Sequence, residues 1–503
     1  MRRAAQVAVA IVILTVFLSP LHRELYVGDE TKYSQVVREM RAGSFFLPTL
    51  HGTPFTHKPP LHFWAIDLLT RLFGVYSIWP FVLPSLAAFV ALLWMMARIG
   101  GPWAAFICGT SLLIWASAQT ARMDVAFAGL LALSAWLIQR WFNGEKTLVA
   151  AAAAAGVAFL VKGPMAPVIF IALIAIEGIR RRRLPPGNYA LAIGVLLFIP
   201  LLWLVPAVLI GGEAFWREIF YKQTVGRAVG AWVHKSPPWF YLVRAPLTLM
   251  PWFFLTIAAI VAAFKRRDEE AEFAVSWLLA VLIPYTLLSS KLDVYMITLL
   301  PAVGYLIARF VTTEDHLTIW GRRANLTMLT LFILVGVAGL FVQPHHIKGE
   351  DAELVTRLDV RLLFWILLTA ALAAVVTTLR GRLTTSTLAT GFVLVAALSW
   401  VSVALVPMAN ELASTRPLVR ALERQNVPPE RIGLFVVPHL WVRGMPDALA
   451  DARHMSPDEL RAEQPELIVT RRRDASKIED VLQGYRRVDE LQMIGKWFDV
   501  HRR

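Results

Sequence analysis

Cysteine is all but missing. Of 503 residues only Cys108 is one, and it lies inside an apolar run, so an intramolecular disulfide framework is excluded. Charge is scarce as well: Asp, Glu, Lys and Arg make up 17% of the chain, against about 25% in soluble domains. No Gly-rich phosphate loop is visible, so nothing points to a nucleotide-sugar site. No internal repeat stands out, which argues against a transporter built from two related halves. The alanine-rich "LVAAAAAAGVAFL" is ordinary helix-packing material.

What the chain has is apolar surface. Hydrophobic residues make up 57% of it and the mean hydropathy is +0.57. So much apolar surface is hard to bury in water, but a bilayer accepts it. The expected class is an α-helical, multi-pass membrane protein. Apolar runs at 4–21, 80–97, 102–118, 124–141, 147–161, 164–179, 189–210, 246–264, 272–289, 293–311, 324–342, 361–379 and 386–406 predict thirteen transmembrane helices. Of these, 147–161 and 164–179 are short. The first run follows Arg2 and Arg3 like a signal peptide, but no small-residue cleavage site comes after it, so it reads as an anchor.

The net charge of +14 is not a nucleic-acid signal on this reading. With Arg2 and Arg3 in the cytoplasm, alternate loops hold Arg98, Arg140 and Lys146, Arg180 to Arg183, Lys265 to Arg267, Arg322 and Arg323, and Arg380 and Arg382. Every dense basic cluster falls on one side, as the positive-inside rule expects. Segments 22–79, 211–245 and 408–503 then lie outside, which in a bacterium is the periplasm. The tail 408–503 is polar and of mixed charge. "RIGLFVV", "ELIVTRR" and "IGKWFDVHRR" read as strands and "TRPLVRALERQ" as a helix. The expected domains are a membrane domain, 1–407, and a small α/β domain, 408–503, packed on the outer face.

Sorting of this kind leaves few cations outside, and those that remain need a reason. "THKPPLHFW" carries Lys58, "QTARMDV" Arg122 and Asp124, and "LVKGPMAP" Lys162. "HKSPPWFYLVR" carries His234, Lys235 and Arg244, and "SSKLDVYMITLLP" Lys291, Asp293 and Tyr295. Cations at one membrane level suit a phosphate held at the lipid–water interface. Carboxylates beside them suit acid–base work. "LYVGDETKYSQVVREM" adds Asp29 and Glu30 at the start of an amphipathic helix through Tyr33, Val36, Val37 and Met40. Each feature has a plainer reading. Asp29 suits a helix cap and dipole, Lys162 and Lys291 suit snorkelling cations, and Arg122 with Asp124 suits a local ion pair. Their shared side and their shared loop–helix setting favour the joint reading.

"GDETKYSQVVREMRAGSFFLPTLHGTPFTHKPPLHFW" resembles the first periplasmic loop of the lipid A aminoarabinose transferase and protein O-mannosyltransferase group of C-type glycosyltransferases. The likeness lies in Asp-Glu-x-x-Tyr, a Gly-x-x-x-x-Pro hairpin, and Lys-Pro-Pro before an aromatic pair. "ARMD", "LVKGP", "HKSPPWFY" and "SKLDVYMITLLP" resemble the group's later motifs in the same order. Before Lys-Pro-Pro the aminoarabinose transferases usually have Glu; this chain has His57.

The resemblance implies an inverting transfer of a sugar from a polyprenyl-phosphate carrier to lipid A, another glycan or a protein Ser/Thr, on the periplasmic face of the inner membrane. It implies Asp29 as base, with Glu30 second and Asp124 orienting. Lys58, Lys291 and Tyr295 would hold the lipid phosphate, with Arg122, Lys162, His234 and Tyr33 around the substrates. Apolar grooves between helices would take the polyprenyl tail. The expected state is a monomer among membrane lipids, with no cofactor required. One metal site is open to expectation: His57 meeting His345 or His346 of "VQPHHIKGED", with Glu350 or Asp351 completing the shell.

Overall fold

The computed structural model describes residues 2–219, 236–341 and 360–503, apart from 446–448 and 450. Among the described residues, nine helices are long and apolar enough to cross a membrane, and two bent helix pairs bring the number to eleven. All thirteen expected segments are helical, but four depart from a simple span. The expected helix 102–118 is broken into Gly101–Gly109 and Leu112–Ala118, at 72°. Thr110 and Ser111 sit at the break, and both hydroxyls fold back onto backbone carbonyls, as Ser and Thr do where they compete with the helical ladder. The expected helix 246–264 is likewise two pieces, Phe240–Thr248 and Phe253–Arg266, at 108°. Leu148–Lys162 and Met165–Arg181 have 15 and 17 residues, so they rise only about 22–26 Å.

The bundle has two distinct ends. At one, the basic loops interlock: Arg180 with Glu177 and Glu272, Arg266 with Asp315, Arg309 with Asp268, and Arg382 with Glu314. At the other end lie the 22–79 segment and the helix junctions at 119–124 and 162–164. There Asp29–Ala42 and Leu61–Phe73 flank a hairpin, β1 (Thr49–Leu50) and β2 (Thr53–Pro54), paired antiparallel. The hairpin turn is His51–Gly52, with φ of 54° and 70°. Positive φ at both central positions is the geometry that matches strand twist in a two-residue loop.

The C-terminal residues build their own core, with Leu418, Leu422, Ile432, Leu434, Leu467, Val469, Phe498 and Val500 all buried. The expected helix is Arg416–Gln425. The three expected strands are β3 (Ile432–Phe435), β5 (Leu467–Arg471) and β7 (Lys496–Arg502). Two more, β4 (Arg453–His454) and β6 (Arg486–Met493), complete the sheet β4-β3-β5-β7-β6. Strand β3 runs parallel to β4 and β5, and β7 antiparallel to β5 and β6. The sheet domain is seated on the bundle by polar contacts. The Trp441 indole donates to the Val75 carbonyl at 3.0 Å, and buried Glu24 accepts from the Arg443 amide at 2.7 Å and pairs with Arg416.

Candidate active site

The helix Asp29–Ala42 begins where Gly28, at φ 130°, turns the chain in a conformation that only glycine adopts readily. Gly28 takes the cap position, so the Asp29 side chain is not spent on capping. Its carboxylate pairs with Lys32 at 3.4 Å and Arg122 at 3.9 Å and stays 41% exposed. Arg122 reaches Asp124 with its other nitrogen, also at 3.9 Å. Asp124 starts the helix Asp124–Phe142 and suits that helix's positive end; Lys162 ends Leu148–Lys162 and suits a negative one. The two are buried and ion-paired with each other. Lys58, half-buried, lies within electrostatic reach of Asp124. Lys162 Nζ stands 4.8 Å from the centre of the Tyr295 ring, which stacks on Tyr285 at 5.0 Å.

One further layer backs this group. Tyr33 is buried edge-on against Phe63 at 5.2 Å. Burial, with Asp29 and Asp124 nearby, pushes its hydroxyl well above the usual tyrosine range, so it remains a neutral donor. His62 lies 6.3 Å from the Tyr33 ring. Burial lowers it to about 4, against the pull of Asp124, and its Nε2 has no hydrogen-bond partner among the described residues. Sequence reasoning passed over His62 and Tyr285. His62 was readable in "KPPLHFW", beside Phe63 on the face that Leu61–Phe73 buries.

Seven expected residues therefore converge: Asp29, Tyr33, Lys58, Arg122, Asp124, Lys162 and Tyr295. Two others have different surroundings from those expected. Glu30, expected as a second base, is buried and enclosed. It takes a two-pronged contact from Arg23 and the backbone amides of Tyr26 (2.9 Å) and Ala121 (2.6 Å), which occupy its lone pairs. It ties the first loop to the 119–124 junction. Lys291, expected on the phosphate, is buried and donates to the carbonyls of Ser236 and Leu288. It closes a loop, while neighbouring Asp293 holds Arg244. His234, His345 and His346 lie outside the described residues, as do Glu350 and Asp351. His57 is exposed, against the Phe55 ring.

Residues 57–204 match the family described as dolichyl-phosphate-mannose-protein mannosyltransferase. A Pseudomonas paraeruginosa protein named undecaprenyl phosphate-alpha-4-amino-4-deoxy-L-arabinose arabinosyl transferase is 28% identical over 477 residues, 89% of this chain and 80% of its own. The Serratia proteamaculans protein of the same name is 27% identical over 334 residues. That match spans 60% of this chain and 58% of the relative, less than two thirds of its length. Among solved structures, ArnT from Cupriavidus metallidurans bound to undecaprenyl phosphate superposes with a TM-score of 0.74 at 20% identity, over 98% of this chain and 97% of that one. The apo form superposes at 0.72.

The fold is thus that of the solved ArnT structures, with a small sheet domain at the C-terminal end. The chain is a multi-pass membrane protein that resembles the polyprenyl-phosphate-dependent aminoarabinose transferases.

Proposed function

We propose that this protein moves a sugar from a polyprenyl-phosphate carrier to an acceptor at the periplasmic face of a bacterial inner membrane, inverting the anomeric carbon. The observation that carries the reading is Arg122 shared between a half-exposed carboxylate, Asp29, and a buried one, Asp124, itself paired with Lys162. Asp29, the more exposed of the two, is the carboxylate an acceptor can reach; Asp124 is buried and serves to hold the cations in place. The acceptor hydroxyl oxygen attacks the anomeric carbon and its proton passes to Asp29. The bond from that carbon to phosphate oxygen breaks, and the electron pair leaves with the polyprenyl phosphate. Lys58, Arg122 and Lys162 offset the charge on the departing phosphate, and Tyr33 and Tyr295 line the site. The basic loops lie at the opposite end of the bundle, and by the positive-inside rule this supports a site on the trans side. No cofactor is needed for this displacement.

The relatives' name gives a polyprenyl-phosphate-linked donor and leaves the acceptor, lipid A or another glycan, open, while the family's name favours a protein acceptor. Labelled polyprenyl-phospho-sugar turned over by the detergent-purified protein supports transfer. Counterflow of that lipid in sealed vesicles without turnover would make the protein a transporter instead. Mass spectrometry of lipid A and of secreted proteins from a deletion strain separates the two acceptor classes.

A further inference from the structure

Three histidines from distant parts of the chain meet at the seam between the first loop and the C-terminal domain. His51 lies in the hairpin turn, His439 follows β3, and His454 ends β4. One ring nitrogen from each falls within 4.8 Å of the others. The ring centres stand 4.8 Å apart for His51 and His439, 4.4 Å for His51 and His454, and 5.1 Å for His439 and His454. None of the three touches the Asp29–Arg122–Asp124 group, and the transfer chemistry above has no use for them.

We propose that His51, His439 and His454 form a binding site for a divalent transition ion, Zn2+ first, that staples the first loop to the C-terminal domain. Nitrogen ligands about 2.0–2.1 Å from tetrahedral zinc stand about 3.3 Å from one another. His51 Nε2 and His439 Nδ1 are already 3.2 Å apart, and a small side-chain closure brings in the third. Imidazole is a preferred ligand for zinc, copper and nickel. Three protein nitrogens leave the fourth position to water.

Two features fit a built site. His51 has φ 54°, at a turn position where Asn or Gly is the low-strain choice and a ring-bearing residue costs of order 1 kcal/mol. The turn is also held rigid before any ion arrives, because the Glu39 carboxylate accepts from the backbone amides of His51 (2.7 Å) and Gly52 (3.1 Å).

The competing account is a metal-free stack, in which neutral rings share the one hydrogen bond between His51 and His439. The full-length protein in detergent, loaded with ZnCl2 and passed through a desalting column, decides by elemental analysis. About one equivalent of zinc per chain is expected, retained in His57→Ala. In His51→Asn, whose side chain tolerates the turn and so preserves the fold, zinc binding is expected to fall by more than about 100-fold, the upper cost of losing an outer-shell partner. His454→Gln should behave alike. Added Zn2+ should raise the unfolding temperature of the wild type and not of His51→Asn. No retained zinc in the wild type, or equal retention in both variants, overturns the proposal in favour of the metal-free stack.

Discussion

At the residue scale, neighbours in the chain have opposite surroundings. Asp29 and Glu30 share a helix turn. Yet one carboxylate is half-exposed with Arg122 beside it, and the other is locked by Arg23 and two amides. The substitutions should part accordingly. Asp29→Asn keeps the shape and removes the charge; a turnover loss of about 10²-fold or more at normal thermal stability is expected. Near-normal turnover would leave Asp29 without a chemical role. Glu30→Gln breaks a buried ion pair, which costs about 3–5 kcal/mol, so lowered melting temperature and poor yield are expected, with the specific activity of the folded fraction less affected. His62 supplies a pH signature. Its folded value near 4 lies below the ordinary 6.5, so its contribution is fully present above pH 6.5 and is lost as pH falls toward 4. The gap corresponds to about 3 kcal/mol. Melting curves should show a shallower acid slope in His62→Phe than in the wild type; parallel slopes would refute the buried neutral ring.

At the element scale, the site is made where helices end. Lys162 stops at Gly163, whose φ of 97° ends the helix, and Asp124 begins the helix immediately before it in the chain. Lys58 approaches from the first loop, on the Pro-Pro turn that opens Leu61–Phe73. Because Lys58 belongs to a loop rather than a span, Lys58→Ala should spare folding and weaken donor binding by about 1.5–3 kcal/mol, the worth of a hydrogen bond to a charged group. Titration with the polyprenyl-phospho-sugar measures this, and unchanged affinity would remove Lys58 from the phosphate. The strands tell a complementary story. β3, β5 and β7 were legible as apolar runs, and β3 and β5 are buried almost throughout. β6, "RRVDELQM", is a half-exposed edge strand whose charges hide its period, and β4 has only two residues.

At the scale of the whole molecule, the C-terminal domain is held in part by buried polar groups. Glu24 takes both the Arg443 amide and the Arg416 side chain while almost wholly out of water. Glu24→Ala leaves Arg416 with only the half-exposed Glu411 at 3.4 Å and strips the Arg443 amide of its acceptor, and we expect faster limited proteolysis near residues 413–416, with the membrane domain intact. Unchanged digestion would mean that Trp441 and its neighbours hold the domain unaided. The sequence by itself determined the class, the apolar segments and the sorting of basic loops. Those follow from composition, period and charge, which are local properties of a chain facing lipid on one side and water on the other; the seven residues that converge were picked out by loop charge together with the family resemblance. Only the tertiary structure decided that Glu30 and Lys291 are spent on fixing loops, that two spans are broken, and that His51 meets His439 and His454. Hydrogen-bond saturation and contacts between residues nearly 400 positions apart depend on how the helices pack, and no local pattern encodes that.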